Sequence, residues 1–446
     1  MKLSFTKLLC RAGMIALAFG SGAGQAQMTG SKAISGTYVD VVQARKNLAA
    51  GLPLVANTRQ IVSQSTTASA PQISSSEAQT SAAAGLPLWT FRFGSPRDGK
   101  HHVGAMVGSN PFTNPQSTAV PANIIPVVLH IHSAATAIDP LSGAITTVPG
   151  DFWVNPMAAD HVCLKAPNNV PLILLHQSPI FQPTNFSFGG VAVGNTQYID
   201  AFQRANFWNA NSSVEGSYHV LLSPVNTLEP LVLDVPASEG MAMPSSLVQA
   251  FIGAPSSCGT LFYLDINWFD AIVNDQVLPA LTQEGVVGPA NLPIFFFYNT
   301  VTGNPIYGFF YCCVGGYHSS SGIPTPTQTY AVTDYDTTGL FSTAFADTAV
   351  ISHELGEWVN DPFGINQVAA WGGTGQVSGC QGNLEVGDPL TGTTLAPLTM
   401  PNGYAYDLQE LAFFSWFAGG RSIGVNGWYS NNGTFSSDAG TPCLLY

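Results

Sequence analysis

His353, Glu354 and Glu357 lie in the stretch DTAVISHELGEWVNDPF (347–363), which places an imidazole and two carboxylates within about one helical turn. Residues four apart on a helix project from one face, so His353 and Glu357 are placed to grip one cation between them. Imidazole nitrogen and carboxylate oxygen both ligate zinc. Glu354 sits one step round the helix, where it reaches a water on the ion without binding the ion itself; that is the position of a general base. The chemistry implied is metal-assisted hydrolysis. A third ligand is expected downstream, and Glu385 in CQGNLEVGDPL fits it, with Asp388 holding the histidine in place. Asp361 is the competing third ligand, one further turn along the helix, but it precedes Pro362, where helical geometry is disfavoured. A His/Glu ligand pair puts more negative charge around the ion than two histidines would, so calcium or manganese compete better with zinc. Two plainer readings stand beside this one: an HExxE spacing arising by chance on an exposed helix face, and Glu385 and Asp388 as ordinary turn acids.

The helix that must carry these groups is predicted over 347–359, with Asp347 as its N-cap and Pro362 as its stop. Val350, Ile351, Leu355, Trp358 and Val359 give it an apolar side. Upstream, NIIPVVLHIHS and VPLILLHQSPIF read as short buried strands, as do NLPIFFFYNTV and IYGFFYCCVGGYHSS, the last bending at Gly315-Gly316. NTQYIDAFQRANFWN suits an amphipathic helix, and LFYLDINWFDAIVNDQVLPAL a strand running into a helix. Asp98-Gly99, between two alternating apolar runs, marks a hairpin. Strands mixed with helices predict one α+β domain over residues 89–446, without an internal boundary.

Other histidines are weaker candidates. His318 follows the glycine pair and can point into a cleft, to steady an oxyanion (a role Tyr317 could share) or to bind metal, with an ordinary surface histidine as the plainer reading. His130 and His132 share one face of a strand, where paired histidines could bind metal, but the sequence shows no acid beside them. His101 and His102 face opposite ways and read as solvated. Trp416 and Trp428 are candidates for lining a peptide or sugar groove. No nucleophile elbow, phosphate loop or dinucleotide fingerprint stands out.

Composition narrows the setting. Only 9% of residues are charged, against roughly 25% in an ordinary soluble domain. The net charge is −13 with 13 Lys plus Arg. No basic cluster exists to meet nucleic acid or an anionic membrane surface. The opening MKLSFTKLLCRAGMIALAFGSGAGQAQ has cationic Lys2, Lys7 and Arg11, an apolar run from Ala12 to Phe19, and small residues at Gly24-Gln25-Ala26. This is the pattern of a secretory signal peptide over residues 1–26. Residues 27–88 are rich in Ser, Thr, Ala and Gln, a composition that reads as disordered. Beyond Cys10, six cysteines remain, and an even number in an exported chain implies disulfides. Cys380 with Cys443 is the expected pair, and the neighbours Cys312 and Cys313 are expected to bond to different partners. The expected localisation is therefore secreted, extracellular or periplasmic, with a peptide or protein substrate as partner.

The helix resembles the HExxH helix of zinc hydrolases with its second histidine replaced by glutamate. That likeness implies a zincin-like architecture, a mixed sheet backing an active-site helix on the floor of a cleft. AVISHELGEWVNDPF, GNLEVGDPL, CCVGGYHSS and the closing QELAFFSWF…NGWYS also resemble blocks of the Exordium-like, phosphate-induced proteins and their secreted bacterial relatives. Those carry a SHELAE helix, an EIADLC block and a CGYH turn. The match runs over His353, Glu354 and Glu357, then Glu385 and Asp388, then Tyr317 and His318. Gly356 and Trp358 depart from the helix pattern, and Pro389 departs from the acidic block, which lacks its Cys here. The resemblance implies an extracellular protein linked to growth signalling and cell walls.

Overall fold

The structure, a computed structural model, describes Thr37–Tyr38 and residues 85–443, apart from 140–143, 213–216, 253–257, 304–311, 322–327 and 342–344. Segment 1–26 and nearly all of 27–84 fall outside the described residues. Thr37–Tyr38 pair with Leu233 and Asp234, while Leu86 is buried and Leu88 opens a strand.

The architecture is mixed α/β, dominated by a twelve-stranded sheet. Its spine is the 22-residue strand Ser117–Ile138. It runs parallel to Leu292–Tyr298, His219–Thr227 and Leu231–Val235, and antiparallel to Ile145–Val154. The main hydrogen-bonded path begins at Cys312–Val314 and ends at Gly316–Ser321. Only Gly315 separates these two strands, so the path starts and finishes on one stretch of chain. Leu292–Tyr298 and Thr300–Gly303 are likewise divided by Asn299 alone. Asn299 has φ 48°, a left-handed conformation that asparagine tolerates. Its side-chain oxygen accepts the Thr337 amide at 2.7 Å and the Thr337 hydroxyl at 3.0 Å.

Leu292–Tyr298 and Gln328–Tyr335 are buried along their whole length. Strands covered on both faces tolerate such unbroken apolar runs. Against Gln328–Tyr335 and Gly316–Ser321 lies the helix Ala349–Asn360, all twelve residues of which are buried. Trp358 Nε1 donates to Thr329 Oγ1 at 3.1 Å and ties the helix to the sheet. The exposed-face reading of His353 and Glu357 is therefore excluded. The helix extends one residue beyond the predicted end, and Thr348, not Asp347, takes the N-cap position. Asp347 instead has φ 38° and bridges to Asp336.

The hairpin Leu88–Gly94/His101–Val107, the helix Tyr198–Asn206 and the strand-to-helix passage at Asp265 all form as expected. Asp265 caps the latter by accepting the amides of Asn267 and Trp268. VPLILLHQ does not form a strand: Pro171–Gln177 is a helix. Proline at the first helical position loses no hydrogen bond and presets φ, and an apolar run of this length does not itself separate helix from strand. His102 is also not solvated. It is buried, stacked on Phe93 at 5.2 Å and paired with Asp98 at 3.0 Å.

Disulfides join Cys163 to Cys258 and, as expected, Cys380 to Cys443. Cys313 is disulfide-bonded too; the Cys312 side chain, on which the expectation of separate partners turns, lies outside the described ones. Disulfides suit an oxidising, extracellular compartment. Among the described residues no helix is long and apolar enough to cross a membrane.

Asp347 yields a test of how this end of the helix is balanced. Burial and the neighbouring Asp407 push its carboxyl up to about 7, against about 3.9 in an unfolded chain. The folded state then binds the extra proton between those values. The associated stability is complete below about pH 4 and is lost as pH rises through about 7. Asp347→Asn keeps an oxygen for the Asp407 amide, 3.0 Å away, and suits the left-handed backbone. It should stabilise the protein at pH 8 by on the order of 1–3 kcal/mol while changing little at pH 4. Thermal unfolding at the two pH values checks this; an equal effect at both would show that Asp347 does not titrate in this range.

Candidate metal centre

The polar face of helix Ala349–Asn360 is turned inward. His353 is 6% exposed, Glu354 5% and Glu357 4%. Three other elements close over it. Strand Gly316–Ser321 brings His318, the loop after strand Val377–Asn383 brings Glu385 and Asp388, and the segment Asp407–Leu411 runs alongside. Glycines allow the close approach. A Cβ on Gly356 would meet Leu411 Cδ1 at 2.5 Å. This accounts for glycine inside the helix. A Cβ on Gly316 would meet Glu354 Cγ and the Val332 carbonyl, each at 2.8 Å.

His353 and Glu357 converge as their spacing requires, with His353 Nε2 3.1 Å from Glu357 Oε1. Asp388 Oδ1 lies 3.6 Å from the same imidazole nitrogen. These three residues offer donor atoms within 4.8 Å of one another. Asp388, expected as the residue that orients His353, is thus itself at ligand range. Its carboxylate is steadied by the side-chain amides of Gln376 and Gln381, the latter at 2.6 Å.

The orienting role falls to Gln409, which the sequence reading missed. Its Nε2 donates to the Gly387 carbonyl at 2.6 Å, so its Oε1 must face His353 Nδ1, 2.9 Å away. A carbonyl only accepts, which fixes the amide; Nδ1 therefore carries hydrogen and Nε2 is left for the carboxylates. Gln409 opens the QELAFFSWF block, but nothing in its spacing tied it to His353, 56 residues earlier in the chain.

His318 forms a second arm. Its Nε2 donates to the Asp361 carbonyl at 3.0 Å. Its Nδ1 lies 3.6 Å from both Glu354 Oε2 and Glu357 Oε2. His318, Glu354 and Glu357 form another three-donor group, so Glu357 joins the two groups through its two oxygens. Its Oε1 also accepts the amides of Gly387 and Asp388 at 3.2 Å each.

The other expected residues are placed as follows. Glu385, fully buried, approaches His318 Nε2 at 3.8 Å and belongs to neither three-donor group; the third donor beside His353 and Glu357 is Asp388. Asp361 spends its carboxylate on the amides of Ile365 and Asn366, at 2.9–3.0 Å, and so closes the helix end. Burial pushes its carboxyl up to about 7. Tyr317 is on the alternate face of its strand from His318; its hydroxyl donates to Asp270 Oδ1 at 3.1 Å, so it is engaged away from the centre. Trp416 is buried, stacked on Phe435 at 4.9 Å, and serves as core. Trp428 is half-buried against the main core.

Five carboxylates (Glu354, Glu357, Asp361, Glu385, Asp388) and two imidazoles thus share one buried region. Burial opposes charging either imidazole, but Glu385, Glu354 and Glu357 hold the His318 pKa well above its usual value, and Glu357 and Asp388 do the same for His353. Burial also raises Glu357, yet His353 and His318 outweigh it and depress this carboxyl below its ordinary range. Glu354 is raised, chiefly by burial. Each imidazole nitrogen facing Glu357 needs positive charge between it and the carboxylates, supplied by a proton or a cation. Mixed imidazole and carboxylate donors are the set that zinc accepts, and manganese and calcium favour the carboxylates. The donor set fits a divalent ion.

No family model, curated protein or solved structure matches the chain.

Gly387 tests the packing of the centre. A Cβ there would sit 2.6 Å from the His353 ring. Gly387→Ala should displace the ring, cost about 1–3 kcal/mol of stability and weaken metal binding by roughly tenfold or more, the scale for disturbed ligand support. Metal titration and thermal unfolding measure both; unchanged affinity would show that the ring has room to spare.

Proposed function

We propose that the protein is a secreted, metal-dependent hydrolase acting on peptide bonds, with a zincin-like arrangement. The observation that carries this reading is the convergence of His353, Glu357 and Asp388 within 4.8 Å, with Glu354 next along the same helix. His353, Glu357 and Asp388 would hold the ion, zinc in the first instance. The ion, when bound, supplies Lewis acidity that polarises a carbonyl and makes water easier to deprotonate. Glu354 takes up the proton, its raised pKa making it a better base near neutral pH than an ordinary glutamate. His318, 3.6 Å from Glu354, orients that carboxylate and opposes the charge that builds up beside it. Gln409 holds His353 in the tautomer that frees Nε2.

A second reading is a non-catalytic extracellular binding protein with a structural ion, in line with the Exordium-like resemblance. Its support is the enclosure of the centre, where no donor in the two groups is more than 6% exposed. Structural sites are closed, whereas catalytic ones keep a position open. Metal analysis of the purified protein, together with hydrolysis of a broad peptide library, separates the readings. A held metal with cleavage supports the hydrolase, a held metal without cleavage supports the binding protein, and protein that stays metal-free after refolding with zinc overturns the hydrolase and leaves a binding or adhesion protein without a structural metal.

A further inference from the structure

A second cluster lies on the face of the central sheet, apart from the buried helix. His130 and His132 alternate along the spine strand and so share one face. In the parallel neighbour Leu231–Val235, Asp234 stands in register with His130. In the antiparallel neighbour Ile145–Val154, Trp153 stands opposite His130, and Asp151, two residues before it, shares its face. Three strands thus meet at one patch. The sequence showed the histidine pair without an acid because the acid is brought in by strand pairing, 102 residues away from His132.

The contacts are close. Asp234 Oδ1 lies 3.0 Å from His130 Nδ1 and 2.6 Å from His132 Nε2. All three donors fall within 4.8 Å of one another. Tetrahedral zinc with bonds of about 2.0–2.2 Å to nitrogen and oxygen separates neighbouring ligand atoms by roughly 3.3–3.6 Å, so a cation is admitted once His132 and Asp234, both partly exposed, draw apart by somewhat under about 1 Å. The other nitrogen of His130, Nε2, is 2.6 Å from Asp151 Oδ1. A ligating histidine typically gives its second N–H to a carboxylate, which fixes its tautomer and aim. The indole of Trp153 stacks on the His130 ring at 4.2 Å and 9°, holding its plane. The His132 side chain is 39% exposed and that of Asp234 31%, so an ion here faces solvent on one side.

We propose that His130, His132 and Asp234 form a second metal site, for a divalent cation of the zinc, nickel or copper kind, with Asp151 and Trp153 positioning His130. Two imidazoles with one carboxylate favour these ions over calcium or magnesium. Bound there, the ion clamps the spine strand to its neighbour Leu231–Val235.

Copper titration of the full chain tests this through tryptophan fluorescence, with zinc titrated by calorimetry. Wild type should show a quenching phase that Trp153→Phe removes. His132→Ala, at an exposed position, should lower copper and zinc affinity for this phase by at least about 100-fold, and Asp151→Asn by about tenfold. Circular dichroism confirms the fold, and Asp234→Asn is the second ligand variant should His132→Ala fold poorly. The number of ions bound per chain should fall by one in either ligand variant, whatever the buried centre holds. If ion count and quenching are unchanged by both ligand variants, the cluster is a hydrogen-bonded surface network only, and the proposal fails.

Discussion

Under the proposed hydrolase reading, Glu354→Gln should retain the metal and the fold and lose hydrolysis by about two to four orders of magnitude, the scale of general acid–base catalysis. The substitution preserves shape, and an amide group can still meet His318 Nδ1, 3.6 Å from the present carboxylate. What it removes is the proposed proton acceptor. Glu354 is 5% exposed, and burial is the main reason its carboxyl titrates above the ordinary glutamate range. In bulk water such a group would be a weak base at neutral pH; here its basicity is moved toward the working pH. Turnover of a cleaved peptide, measured beside metal content and unfolding temperature, decides among three outcomes. Lost turnover with metal intact assigns the base. Lost turnover with lost metal makes Glu354 a ligand, through the group it forms with His318 and Glu357. Full activity places the catalytic centre elsewhere.

That three-way outcome reflects how far the sequence reaches. The local geometry was legible. A four-residue spacing fixes the shared face of His353 and Glu357, and Asp98-Gly99 marks its hairpin, because both depend only on neighbouring φ and ψ. The Cys380–Cys443 pair was legible for a weaker reason, their common place in the last third of the chain. Roles that depend on tertiary approach were not. Gln409 reaches His353 because Gly356 lets Leu411 pack against the helix, and nothing in a glutamine's surroundings announces that contact. Glu385 and Asp388 lie three residues apart just after strand Val377–Asn383, and spacing alone could not say which would face His353 and which His318. The strand reading of VPLILLHQ failed for a related reason. A buried apolar run is compatible with either period, and Pro171 at its head was the only local sign of a helix. The acid beside His130 and His132 was hidden by a parallel pairing that no local pattern encodes.

Glu357→Ala should have the largest effect on the protein as a whole, because both halves of the centre pass through this one carboxylate. Oε1 faces His353 and accepts two loop amides, while Oε2 faces His318. Alanine leaves those amides and both imidazole nitrogens facing a void at a site that is 4% exposed in the wild type. Breaking a buried ionic pair by removing one partner costs about 3–5 kcal/mol, and the binding energy of the ion is lost besides, since ligand binding to the folded state is itself folding free energy. The variant should therefore purify without the buried ion and unfold at a markedly lower temperature. A chelator supplies the control. It should lower the unfolding temperature of the wild type clearly more than that of the variant, because the variant has already lost the buried ion and has only the ion proposed at His130, His132 and Asp234 left to lose. If the chelator lowers both by the same amount, the ion that stabilises the chain is held elsewhere, and His353, Glu357 and Asp388 are a proton-linked network whose carboxylates and imidazoles neutralise one another without metal.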